Sequence, residues 1–247
     1  MTIVLTNDDG IDAPGIATLR EIVPDHERVV VVAPAEEQSG ISHRVTVDRD
    51  IRVDREGEDR YRVHGTPADC VRLAVFHLVP DVRTVLAGIN RGGNLGVDVF
   101  LSGTVAAARE AALLGRSAVA ISQVIGRART PNWDHTRERA GSVLRELLDE
   151  TTPAGVFWNV NLPHPPDDQT DCPIVRCQVD SNPLLLNYHE RGGTSGTEWG
   201  FRYRGAYHDR PRTTGHDVDV CFSGSIAVTA IDVATPFAAR GDARGTQ

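Results

Sequence analysis

The sequence predicts a doubly wound α/β fold on a mostly parallel sheet, and three observations carry that expectation. Short, β-branched apolar runs alternate with segments of helical periodicity over the first two thirds of the chain, the order that crossover helices impose on a parallel sheet. The runs themselves are continuous, as in strands covered on both faces. Small, polar or glycine residues follow each run, at the strand end where open α/β sheets hold their ligands.

In order, TIVLT (2–6) reads as the first buried strand and Asn7, Asp8, Asp9 and Gly10 as its loop. Pro14 stands near a helix start, and Ile16, Leu19, Ile22 and Val23 recur at helical spacing. RVVVVAP (28–34) is the second strand, with AEEQSG as its loop. Residues 43–64 alternate polar and apolar around a turn at REGED, which predicts an inserted hairpin. In GTPADCVRLAVFHLV, Thr66, Pro67 and Asp69 occupy capping positions ahead of an apolar stripe, so a second helix follows. TVLAGIN is a strand running into the glycine-rich loop RGGNLGVDVFLSG. SGTVAAAREAALLG is a helix with Ser102 as cap and Gly115 as stop. SAVAIS is a strand, DHTRERAGSVLRELLDE an amphipathic helix, and GVFWNVNLP a strand ended by proline.

Beyond that point the pattern changes. PIVRCQVD, EWGFRYRGAY and GSIAVTAIDV read as strands without clear intervening helices. Residues 1–165 are therefore expected to form the core and 166–247 a β-rich extension whose exposed edges serve oligomerisation. The tail RGDARGTQ is expected to be disordered.

Composition bounds the function. The 247 residues are 40% hydrophobic and 24% charged, enough for one large domain or a core with an appended region. Thirty-four acidic residues oppose 26 basic ones, a net charge of -8, and every one of the 26 is arginine. An acidic chain lacks the positive footprint that a nucleic-acid polymer needs. Without lysine there is no P-loop lysine, no Schiff base, and no lysine of the kind a receiver-type signalling domain uses. Cys70, Cys172, Cys177 and Cys221 show no zinc-type pairing and are expected to be reduced and structural. No apolar run approaches the length of a membrane span, and no basic leader precedes the first strand. A cytoplasmic protein without a membrane partner is the expectation.

The strand ends carry the chemistry. Asp8 and Asp9 raise each other's pKa unless a cation or donors absorb their charge, and a bound metal ion would resolve the conflict. Ser39 and Gly40 follow the second strand, Asn90 ends the third full strand, and Asn94, Ser102 and Thr104 lie downstream. Two carboxylates, a hydroxyl and an amide oxygen form a hard-ligand set suited to Mg²⁺, Mn²⁺ or Ca²⁺. The helix N-terminus at Ser102, Gly103 and Thr104 offers backbone N–H groups and a positive dipole end to an anion. Together they would bracket a phosphate. Each residue also has an ordinary use: an Asp-Asp-Gly turn in a loop, Ser39 in a turn, Asn90 at a strand end, Ser102 as a cap and Asp69 at a helix start. His43 reads equally as a neighbour of the substrate or as a solvent-facing hairpin residue. Trp133 and Trp158 read as packing residues, with Trp199 as the best candidate for stacking on a base.

TNDDGIDAPGI, VVAPAEEQSG, GTPADCV, GINRGGNLGVDVFLSGTVAAAREAALLG and NVNLP, in that order over about residues 1–163, resemble the SurE family of metal-dependent nucleotidases; GSIAVTAIDV resembles its C-terminal strand. The resemblance implies a Rossmann-like core with a C-terminal β-hairpin and tail that reach into a partner, giving a homodimer or homotetramer. It implies a 5'(3')-nucleotidase that hydrolyses nucleoside monophosphates. One divalent ion per subunit, Mg²⁺ or Mn²⁺, would be held by Asp8, Asp9, Ser39 and Asn90, and the phosphate by Asn94, Ser102, Gly103 and Thr104. Asp8 and Asp9 would be catalytic, either accepting a proton from a metal-activated water or attacking phosphorus directly. The chain departs from the family pattern at Gln38, where arginine is frequent, and at Arg91 and Gly93; Arg91 would partly replace the missing charge. Residues 181–216 match weakly. Competing readings are a non-catalytic nucleotide-binding protein and a phosphatase acting on other esters or polyphosphate.

Overall fold

Every residue of β1 (Thr2–Thr6) is buried, because its apolar and β-branched side chains are covered on both faces of a sheet. The structure, a computed structural model, describes residues 2–164, 172–192, 199–205 and 207–233. In it β1 lies between two parallel neighbours, β2 (Arg28–Pro34) and β5 (Val82–Arg91). Beyond β5 come β6 (Ser117–Gln123) and β7 (Val156–Leu162), also parallel. On the other side β4 (Arg60–Val63) runs parallel to β2, and β3 (Val53–Arg55) returns antiparallel to β4. The chain leaves β1 for β2 on one side and later enters β5 on the other. A crevice opens at such a reversal, at the carboxyl ends of the strands.

The two faces of the sheet are distinct. Ile3, Leu5, Leu86 and Ile121 pack beneath α1 (Pro14–Ile22) and α4 (Trp133–Asp149). Val4, Val85, Ala87 and Ala120 pack beneath α2 (Pro67–Leu73) and α3 (Gly103–Leu113). The alternation is the period of two expected of strands buried on both sides. The α3 face consists of Val105, Ala107, Ala108 and Ala111, and small side chains let a helix approach the strands closely. α2 begins as its sequence implies. Thr66 Oγ1 accepts from the Asp69 N–H at 3.2 Å, and Asp69 Oδ2 accepts from the Thr66 N–H at 2.9 Å. The same Asp69 carboxylate accepts from Thr46 N and Oγ1, tying down the segment between β2 and β3. The helix then widens into a π-helical turn over Ala74–Leu78.

One contact fixes the crevice. α1 meets β5 at Gly15, where a Cβ would stand 1.9 Å from the carbonyl oxygen of Ile89. Only glycine fits. Gly15→Ala is therefore expected to destabilise the fold by about 1–3 kcal/mol through overpacking, lowering the melting temperature by roughly 2–12 °C. An unchanged melting curve would show that α1 slides without cost.

The C-terminal part both completes the sheet and departs from expectation. β11 (Ile226–Asp232) pairs antiparallel with β7, and β8 (Ile174–Arg176) pairs parallel with β11, so the main sheet takes strands from both sides of residue 165. PIVRCQVD supplies only the three residues of β8. A helix, α5 (Asp217–Phe222), corrects the expectation that no helix intervenes. Val218 and Val220 alternate as in a strand, but the buried Asp217 carboxylate at the start of the helix accepts the Val218 N–H locally and the Gly96 and Asp180 N–H groups across the fold, each at 2.8 Å, and these bonds anchor the helical turn. β9 (Tyr188–Gly192) and β10 (Trp199–Tyr203) form a separate antiparallel hairpin. Tyr188, Trp199, Phe201 and Tyr203 on it are all more than half exposed. The tail RGDARGTQ lies outside the described residues.

Candidate active site

β1 ends by delivering Asp8 to the first turn of α3. Thr104 Oγ1 donates to Asp8 Oδ1, and a Cβ added at Gly103 would lie 2.9 Å from Asp8 Oδ2. Burial pushes the Asp8 carboxyl up to about 6; the Thr104 hydrogen bond opposes this and the Asp9 charge adds to it. Asp9 is half-buried, and its Oδ2 accepts from the Arg91 N–H at 3.2 Å. Burial also raises Asp9, while the Arg91 N–H draws it down and the nearby Glu37 charge pushes it up. Among the described residues no guanidinium is hydrogen-bonded to either carboxylate. Beside them the Asn7 amide donates to the Gly10 carbonyl at 2.7 Å, and its Oδ1 is buried without a protein partner among the described residues.

The loop after β2 is tied to the same point, since the Gln38 N–H donates to the Asp8 carbonyl at 2.7 Å. Ser39 is exposed, and its hydroxyl donates to Glu37 Oε1 at 2.6 Å. Asn90, next to last in β5, donates from Nδ2 to the Gly92 carbonyl at 2.8 Å. Ser102 caps α3, its Oγ accepting the Val105 N–H at 3.1 Å. The fold thus joins Asp8 to Gly103 and Thr104 by side-chain contact, and links the two acids to Gln38 and Arg91 through backbone. None of the hydrogen bonds among the described residues joins Ser39, Asn90 or Asn94 to the two acids.

Asn94 occupies a buried amide cluster. Its Nδ2 donates to Ser122 Oγ at 2.7 Å and its N–H to Asn161 Oδ1 at 2.7 Å, while its carbonyl accepts from Asn159 and Asn161. The asparagines of NVNLP are the signal that was available: two amides alternating along a strand that is otherwise apolar must serve something inside. Less legible were Arg210 and Asp217 of the C-terminal part. Arg210 donates to the Leu95 carbonyl at 3.1 Å, pairs with Asp98 at 2.7 Å and lies over the Tyr207 ring at 4.3 Å. With the Asp217–Gly96 bond, these contacts brace the loop that carries Arg91 and Asn94. His43 is accounted for by structure: its Nε2 lies 2.7 Å from the buried Glu110 carboxylate, which also pairs with Arg72. Burial works to raise Glu110, and the His43 and Arg72 hydrogen bonds outweigh it, holding the carboxyl below its usual range.

A buried and a half-buried carboxylate that repel each other, with the Thr104 hydroxyl and the Asn7 amide oxygen beside them, fit a hard divalent cation; no thiol or imidazole among the described residues is hydrogen-bonded to them. Fold and site together define an α/β protein that gathers acidic side chains and a helix N-terminus in the crevice at its topological switch point.

The chain belongs to the SurE family: the family model described as Survival protein SurE matches residues 3–181. It is 48% identical over 233 residues to a putative 5'-nucleotidase of Synechocystis sp., covering 94% of this chain and 100% of that one. It is 40% identical over 196 residues to 5'-nucleotidase SurE of Methylobacterium radiotolerans, covering 77% of each. The crystal structure of SurE protein from Aquifex aeolicus superposes with a TM-score of 0.81 at 30% identity, over 94% of this chain and 93% of that one.

Proposed function

We propose that this chain is a 5'-nucleotidase that hydrolyses nucleoside 5'-monophosphates, and 3'-monophosphates, to nucleoside and phosphate. The observation that carries it is the contact of Asp8 with Gly103 and Thr104, which sets a carboxylate pair against a helix N-terminus. Asp8, Asp9, Ser39 and Asn90 would hold one Mg²⁺ or Mn²⁺ ion. That ion supplies Lewis-acid stabilisation of the charge developing on phosphate oxygens. The N-terminal turn of α3, Ser102, Gly103 and Thr104, would bind the phosphate through its backbone N–H groups, together with Asn94. Thr104 orients Asp8, and Asp9 serves as proton acceptor or nucleophile. The braced 91–98 loop holds these donors in place.

The exposed aromatic hairpin is proposed to join subunits into a homodimer or homotetramer, since an apolar patch of this kind marks an interface. No helix among the described residues is long and apolar enough to cross a membrane. A cytoplasmic setting is proposed from the four free cysteines, which suit a reducing compartment.

Phosphate release from 5'- and 3'-nucleoside monophosphates, p-nitrophenyl phosphate and short polyphosphate, measured with EDTA, Mg²⁺ or Mn²⁺, tests the reading. Turnover is expected with either metal, greatest on nucleotides and absent in EDTA. Nucleotide binding without turnover under any metal would leave a binding protein; preference for polyphosphate would reassign the substrate.

A further inference from the structure

A cleft of about 470 Å³ runs from Asp9 and Arg91, past the N-terminus of α1, to Pro131 and Trp133. Its size lies within the roughly 300–1,000 Å³ of small-ligand pockets. One end is Asp9, the outer carboxylate of the proposed reaction centre; the other is an aromatic ring with proline beside it. We propose that this cleft is the nucleoside subsite and that the Trp133 indole is the platform on which the base stacks. The inference rests on the nucleotidase reading and deepens it.

Three features support the assignment. Trp133 is the first residue of α4, held by the Asn132 cap, whose Oδ1 accepts from the Asp134 and His135 N–H groups. The ring is therefore fixed at its root. Its outer edge lies over α1, where a Cβ on Gly15 would come within 3.3 Å of Cη2, and the remainder is partly exposed along the cleft. An anchored indole of this kind stacks a base with little loss of side-chain freedom. Glu36 and Glu37 also line the cleft as exposed acceptors, able to take hydrogen bonds from ribose hydroxyls and exocyclic amino groups. Trp199, by contrast, sits on the exposed hairpin, whose two strands pair only with each other, and does not line this cleft.

A purine overlaps the indole more than a pyrimidine does, so AMP should depend on Trp133 more than UMP. The test compares wild type, Trp133→Ala and the bulkier Trp133→Leu on AMP, UMP and ribose 5-phosphate, with melting curves for each. KM for AMP is expected to rise about tenfold in both variants, that for UMP less, and kcat to stay within twofold. Ribose 5-phosphate, which has no base, should keep its kcat/KM. Equal losses on AMP and ribose 5-phosphate would make Trp133 a support of the catalytic loop and overturn the proposal, as would unchanged AMP kinetics. Adenosine binding supplies an arm that needs no turnover: it should quench tryptophan emission in wild type and not in Trp133→Leu. If that quenching behaves as expected while AMP is not hydrolysed, the nucleotidase reading fails and the base subsite stands.

Discussion

Asp8→Asn is expected to cut phosphate release by at least about 10²-fold while making the metal-free protein more stable. Asp8 is ionised at neutral pH inside the fold although burial and the Asp9 charge oppose it, which is why its carboxyl stands at about 6 instead of the usual 3.8. A shift of that size corresponds to roughly 2–3 kcal/mol of native-state penalty at pH 7. Asparagine keeps an oxygen to accept from Thr104 and removes the charge. In EDTA the variant should therefore melt several degrees higher, at roughly 2–4 °C per kcal/mol for a chain of this size. Turnover should fall by about 10²–10³ or more, since an anionic ligand for the cation and a partner of the transition state are lost together. The pairing of lost activity with gained stability is the diagnostic result. A lower melting temperature in EDTA would mean that the ionised carboxylate stabilises the fold, and the strained-acid account of the site would be wrong.

The second large effect is expected from Gly103→Ala. As the first residue of α3, Gly103 tolerates alanine by backbone preference, and alanine is the better helix former. Its Cβ, however, would stand 2.8 Å from Asp8 Cβ and 2.9 Å from Oδ2, and 3.2 Å from the Ile41 side chain. Asp8 must move. Displacement by about 1 Å in a reaction centre can reduce rate by about 10²-fold, so kcat should fall by that order, with a melting temperature lowered by a few degrees through overpacking against the buried Asp8. Steady-state kinetics and a thermal scan on the same sample check both halves. Full activity would show that the Asp8–Thr104 contact is dispensable.

Much of this architecture was legible because its strands are continuous apolar runs and its caps are local. TIVLT and RVVVVAP mark strands by composition alone, and Thr66 and Asp69 announce the start of α2 through an interaction three residues long. The acidic pair was legible as well, since adjacent carboxylates demand a physical explanation wherever they fall. What escaped depends on distant partners. α5 falls on a stretch to which the sequence pattern assigns no element, and it is anchored where the buried Asp217 meets the N–H groups of Gly96 and Asp180. The bracing of loop 91–98 by Arg210 spans 115 residues, and no spacing rule reports it. Trp133 reads as a packing residue because half of it is one; only the fold shows the other half lining a cleft beside Asp9.

The placement of β11 bears on how the molecule is made. β11 lies between β7 and β8, so the edge of β7 stays unpaired until residue 226 and those after it have left the ribosome. Before then the nascent chain presents an open, largely apolar strand, Val156–Leu162, that other chains can join. Insertion of the last strand is thus a late, long-range event. Truncations ending before β11 should yield aggregates, not a smaller folded protein, even though Asp8, Asp9 and α3 are all present in them.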